Sequence, residues 1–186
     1  MSAVQPCRTI KVFAFRGVRS RIFAANFLGA IADEKNGSGP GPTILVCLLF
    51  GGHAGVSTDQ GAIIYGFNPD RGGIAVWQWL DRLKSGDPFP GVVCDDTTVF
   101  LAAQQRALSV LSFDIILPDP RFQEFQTTLD AERQSSHYSY GFPNGDGDCN
   151  CVTWPERLGL PLLTGRMDEF VALRGILASR RFGQCL

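Results

Sequence analysis

The sequence predicts an α+β fold, an antiparallel sheet packed against helices, and three observations carry that expectation. Two β-rich runs are separated by only Gln60-Gly61, which reads as a tight hairpin. Strand-like and helix-like segments mix without strict alternation, which disfavours a parallel sheet built from crossover units. A late run with helix-start chemistry carries Phe122, Phe125 and Leu129 as an apolar stripe for packing on that sheet.

In chain order, "TIKVFAF" alternates and predicts a first strand. "SRIFAANFLGAIADEK" sets Ile22, Phe23, Phe27 and Ile31 at near-helical spacing, and "NGSGPGP" then ends any helix. "TILVCLLFGGHAGVSTD" is an apolar strand that passes through two glycines into an alternating one, and "AIIYGFNP" returns as its hairpin partner. "GIAVWQWLDRLKSG" predicts a helix with Ile74, Trp77, Leu80 and Leu83 on one face. "GVVCDD" suggests a short strand and "ALSVLSFDIIL" a longer one. In "PDPRFQEFQTTLDAERQ" Asp119 is placed to cap a helix and Pro120 suits its first turn. A turn-rich loop follows, then a short helix from about Cys151, and finally "GRMDEFVALRGILASRR" as a last helix. One domain is expected over residues 1–186. Residues 1–41 form an N-terminal strand and helix segment ending in the Gly/Pro loop, and residues 42–186 form the core.

Composition narrows the functional classes. The chain has 186 residues, 45% hydrophobic and 19% charged, with a formal net charge of −1, so a nucleic-acid surface is not expected. The longest apolar run is far short of the ~20 residues that a membrane helix needs. No Sec-type leader pattern opens the sequence, so the expected location is cytoplasmic, or outside the cell by a leaderless export route.

Chemistry near neutral pH has few candidates. Only two histidines occur, His53 and His137. A two-residue Gln60-Gly61 loop would oppose Asp59 with Ala62, Ser57 with Ile64, Gly55 with Gly66, and His53 with Asn68. A three-residue loop would put Phe67 opposite His53 instead. In the first register an amide lies beside the imidazole, and an imidazole oriented by a polar neighbour is half of a nucleophilic triad. His137 lies in a Ser/Tyr-rich loop and reads as a groove wall, with general base as the alternative.

Of six cysteines, Cys47 and Cys94 read as small buried hydrophobes, while Cys7 and Cys185 lie near the termini where no chemistry is expected. "GDGDCNCVTW" offers Cys149 and Cys151. Cys151 would fall in the first turn of a helix, where a thiol pKa is lowered, whereas Cys149 would remain in the loop. Cys151 is therefore the better nucleophile. A zinc site from Cys149, Cys151, His53 and His137 lacks the usual cysteine spacing. A calcium loop on Asn144, Asp146 and Asp148 has Cys149 where Gly belongs and Pro155 where Glu belongs. A purely structural role for both cysteines is the remaining alternative. No metal or cofactor is expected.

"GHAGV" with His53, "YGFNP" with Asn68 and "NCVTW" with Cys151, in that order, resemble the circularly permuted papain-like cysteine hydrolases. These are relatives of NlpC-type cell-wall amidases, lecithin:retinol acyltransferase and the permuted deSUMOylating isopeptidases. The likeness spans about residues 43 to 160. It includes a strand, helix and nucleophile succession from Ser112 to Cys151. It implies Cys151 as nucleophile, His53 as general base and Asn68 as the residue fixing the imidazole, where the permuted group often has a second histidine. It also implies an oxyanion held by backbone N–H groups at the start of the Cys helix, with Asn150, Asn144 or Tyr138 as side-chain donors. The expected activity is cleavage of peptide or isopeptide bonds in a protein or peptide substrate through an acyl-enzyme. A bacterial toxin or effector met by an immunity or inhibitor protein is one setting. The alternatives are a peptidoglycan amidase, deamidase or acyltransferase on the same fold, and a non-catalytic binding module or Cys/His metal-binding protein.

Overall fold

The computed structural model describes residues 6–15, 53–70, 78, 82, 85–105, 110–141 and 147–160. The strand and loop readings between residues 16 and 52, the helix read over 20–35, nearly all of the helix read over 73–86, and the last helix lie outside these residues. What is described is α+β. Six strands form one sheet: β1 (Cys7–Phe15), β2 (His53–Ser57), β3 (Tyr65–Pro69), β4 (Phe89–Asp95), β5 (Val110–Pro118) and β6 (Ser139–Tyr140). Their order across the sheet is β5-β1-β2-β3-β4-β6, and every strand pair is antiparallel. Helices α1 (Thr97–Gln105), α2 (Asp119–Gln134) and α3 (Trp154–Arg157) complete the described fold. Among the described residues no helix is long and apolar enough to cross a membrane.

The strand period explains how both faces of the sheet become covered. On β1, Ile10, Val12 and Ala14 join the larger cluster with Ala54, Val56 and Phe67, and α2 adds Phe122, Phe125 and Leu129. Phe13 and Phe15, one residue out of phase, belong to a second cluster with Ile64, Val99, Phe100 and Ala103, which α1 supplies in part. Central strand β2 is accordingly buried at all five positions.

The turn forms as its loop chemistry predicts, but the ladder stops short of it: Ile64 N–H donates to Thr97 Oγ1 at 3.0 Å, so the expected pair of Ser57 with Ile64 is not made. Gln60 and Gly61 both take positive φ, 64° and 99°, as a two-residue turn of the mirror-image kind requires. Ala62 N–H donates to Asp59 O at 3.3 Å across that turn. Gly55 pairs with Gly66 and Val56 with Tyr65, the register in which His53 and Asn68 share a face.

Two local readings need correction. Helix α2 is capped by Pro118, not Asp119; Asp119 is the first helical residue, and its carboxylate meets Arg8 Nε at 2.7 Å. Helix α1 has no counterpart in the sequence reading: its nine residues, "TTVFLAAQQ", lie between two strands and carry too weak a stripe to announce themselves. It starts on a backbone device, with Asp96 O accepting from Val99 N–H at 2.9 Å and Phe100 N–H at 3.1 Å. Cys7, where no chemistry was expected, is disulfide-bonded, whereas Cys94, Cys149 and Cys151 are free thiols.

Candidate functional site

The hairpin supplies the first two side chains. His53 opens β2 and Asn68 stands near the end of β3, each 1% exposed. The third comes from a position that the sequence reading passed over. Asp96 sits where β4 turns into α1, so its backbone starts the helix while its side chain turns inward, 3% exposed. Its Oδ2 lies 2.6 Å from His53 Nε2 and accepts from Asn68 Nδ2 at 2.7 Å. Asn68 therefore does not touch the imidazole as expected: Asp96 stands between them. The missed signal is the pair of acids in "CDDTT" at a strand end: Asp95 stays exposed and Asp96, on the opposite side, is buried.

Room for this contact is made by Gly66. A Cβ there would overlap both Asp96 Oδ2 and His53 Nε2. The imidazole is walled by Phe15 and Phe100, whose ring centroids lie 6.3 and 5.7 Å from its own. These apolar walls exclude water and strengthen the charge–charge terms within the cluster.

Cys151 is brought to this cluster by the turn before α3. Asn150 Oδ1 accepts from Val152 N–H at 2.9 Å and Thr153 N–H at 3.1 Å, while Thr153 Oγ1 accepts from Asn150 N–H at 2.9 Å. This reciprocal cap fixes the direction of the residue between them. Trp154 N–H closes onto Asn150 O at 2.8 Å, and the indole stacks on Phe67 at 5.7 Å. The helix expected from about Cys151 starts only at Trp154; Cys151 lies in the turn ahead of it. The N–H groups of Val152 and Thr153 are committed to the cap, so the expected role of that helix start in holding an oxyanion does not fall to them.

The two neighbouring thiols are driven in opposite directions. Burial would raise the pKa of Cys151, which is 0% exposed. The charge of His53, a hydrogen bond with its side chain, the Ala54 backbone N–H and the Tyr140 hydroxyl outweigh that cost, and the pKa falls below the ordinary thiol value. Tyr140 OH donates to Cys151 Sγ at 3.8 Å. Cys149 is also buried, and that burial, opposed by the Arg157 charge and reinforced by Asp148 and Glu132, pushes its thiol up to about 12. A third thiol, Cys94, borders the cluster through Asn68; burial, then Asp96 and Asp70, raise its pKa.

His137 takes no part. Its side chain is 72% exposed and its Nδ1 lies 2.9 Å from Glu132 Oε1, a buried carboxylate that also accepts from Ser136 Oγ at 2.9 Å. A four-ligand site drawing on both histidines is thus not assembled, and among the described residues no group of three or more His, Cys, Asp or Glu side chains could hold a metal ion. Of the side-chain oxyanion donors expected from sequence, Asn150 is fixed by its Oδ1 as a cap acceptor, which leaves the Nδ2 donor outside the cap, Tyr138 packs against the core, and Asn144 lies outside the described residues.

A thiol of lowered pKa, an imidazole and a buried carboxylate in series form a device for moving the thiol proton onto the ring. Compared with protein-family models, curated proteins and solved structures, the chain matches none.

Proposed function

We propose that this chain is a cysteine hydrolase of papain-like, circularly permuted architecture that cleaves amide bonds in a protein or peptide substrate. One observation carries the reading: the fully buried Cys151 thiol is hydrogen-bonded to a His53 ring whose Nε2 is held at 2.6 Å by Asp96. With Nε2 given to the carboxylate, Nδ1 is the nitrogen that serves the sulfur. His53 takes the Cys151 proton, and the thiolate attacks the substrate carbonyl, forming a C–S bond and a tetrahedral oxyanion. The imidazolium then protonates the amine as the C–N bond breaks. Water, deprotonated by His53, attacks the acyl-enzyme; its collapse breaks the C–S bond and restores the thiol. Asp96 holds the ring in the Nε2–H tautomer and offsets the charge that develops on it. The Tyr140 hydroxyl, beside the sulfur, supports the thiolate.

The experiment is substrate trapping. A Cys151→Ala chain expressed in cells should retain proteins that the unaltered chain cleaves when they are presented to it afterwards. If every protein retained is left intact by active chain, the hydrolase reading fails.

A further inference from the structure

Asp96 Oδ2 serves two donors at once. It receives Asn68 Nδ2 at 2.7 Å and faces His53 Nε2 at 2.6 Å, within a cluster where Asn68 and His53 are each 1% exposed. The amide is itself held, because Nδ2 also donates to Gly66 O at 3.3 Å. Both amide hydrogens are thus engaged, and a flipped amide would turn its oxygen toward a carboxylate. An oxygen that already accepts one N–H and lies within bonding distance of a second nitrogen is a poor site for a proton, so the hydrogen between Asp96 and His53 belongs on Nε2. That choice makes Nδ1 the basic nitrogen.

We propose that Asn68 is a positioning residue that sets the tautomer of His53 through Asp96, making the site a four-membered series, Cys151–His53–Asp96–Asn68. This deepens the hydrolase reading and rests on it. Sequence reasoning placed Asn68 directly on the imidazole; the geometry moves it one step further out. Among the described residues the titratable groups around the series are Cys151 from the late turn, Tyr140 from β6, Cys94 from β4 and Asp70 beyond β3.

The test needs no substrate. The rate of Cys151 alkylation by iodoacetamide is followed against pH by mass spectrometry of the labelled peptide in the full chain. Asn68→Leu keeps the branched heavy-atom shape and removes the donor; its midpoint should move up by about one pH unit, a roughly tenfold slower reaction below both midpoints. Asn68→Asp keeps the shape and donates only while protonated. It should follow the unaltered chain at low pH and lose reactivity relative to it as pH rises, a signature that a merely structural role would not produce. The second variant also serves if the first does not fold. An ordinary thiol profile in the unaltered chain would overturn the reading of Cys151, and this proposal with it. A lowered midpoint that neither substitution moves would overturn this proposal alone.

Discussion

Cys149 and Cys151 are separated by a single residue, both are buried, and both lie in the cluster beneath the sheet. One thiol is pushed up to about 12 and the other is brought below its ordinary value. Burial disfavours the thiolate at both, so burial cannot be what separates them. The difference is the company each keeps: an imidazole, a backbone N–H and a phenol outweigh burial at Cys151, whereas at Cys149 the one favourable charge, Arg157, does not. The two histidines repeat the lesson. Each pairs with a carboxylate, at 2.6 and 2.9 Å, but His53 is 1% exposed whereas the His137 side chain is 72% exposed. A pair open to water is screened and worth little, while the sealed one acts on its neighbours with little loss.

The largest effect should come from removing one thiol or the other. Cys151→Ala should abolish fast alkylation near neutral pH, and Cys149→Ala should leave it intact, read as labelled peptide by mass spectrometry. The sign follows from the shifts: labelling of Cys151 should fade only as pH falls through its lowered pKa, while Cys149 should label only on approach to about pH 12. Faster labelling of Cys149 would reverse the comparison. Next comes Asp96→Asn, which keeps the volume but removes the charge and lets the amide present its N–H to the ring. Cys151 reactivity at neutral pH should fall by roughly two orders of magnitude with the Cys149 rate unchanged. A loss at Cys151 accompanied by faster labelling of Cys149, whose thiol is held unreactive chiefly by burial, would mean that the fold, not the site, had been damaged. The smallest effect is expected of His137→Ala: a change within about 0.5 kcal/mol in urea unfolding and no shift in Cys151 reactivity.

How much of this was legible in the sequence depended on the distance over which each contact acts. The Gln60-Gly61 turn is local, so its register, and with it the shared face of His53 and Asn68, followed from two residues and the rule for opposed pairs. Cys151 was preferred over Cys149 for lying in a first helical turn. It lies instead in the turn ahead of α3, and the neighbours that favour its thiolate are His53, Ala54 and Tyr140, which no local rule could supply. Asp96 was missed because its partner is 43 positions away and because α1, whose start directs the side chain inward, carries so weak an apolar pattern. Asn68 was drawn to His53 because the sheet register sets them side by side; only Gly66, leaving space for a carboxylate to come between, could have warned otherwise.

The order of the segments has a consequence for biosynthesis. His53, Asn68 and Asp96 all leave the ribosome well before Cys151, and Tyr140 follows them only shortly ahead of it. Every group that lowers the thiol pKa is contributed by tertiary contact, so a nascent or truncated chain carries a thiol of common reactivity. The lowered thiol pKa is thus a property of the folded chain, present only once His53, Ala54 and Tyr140 surround the sulfur.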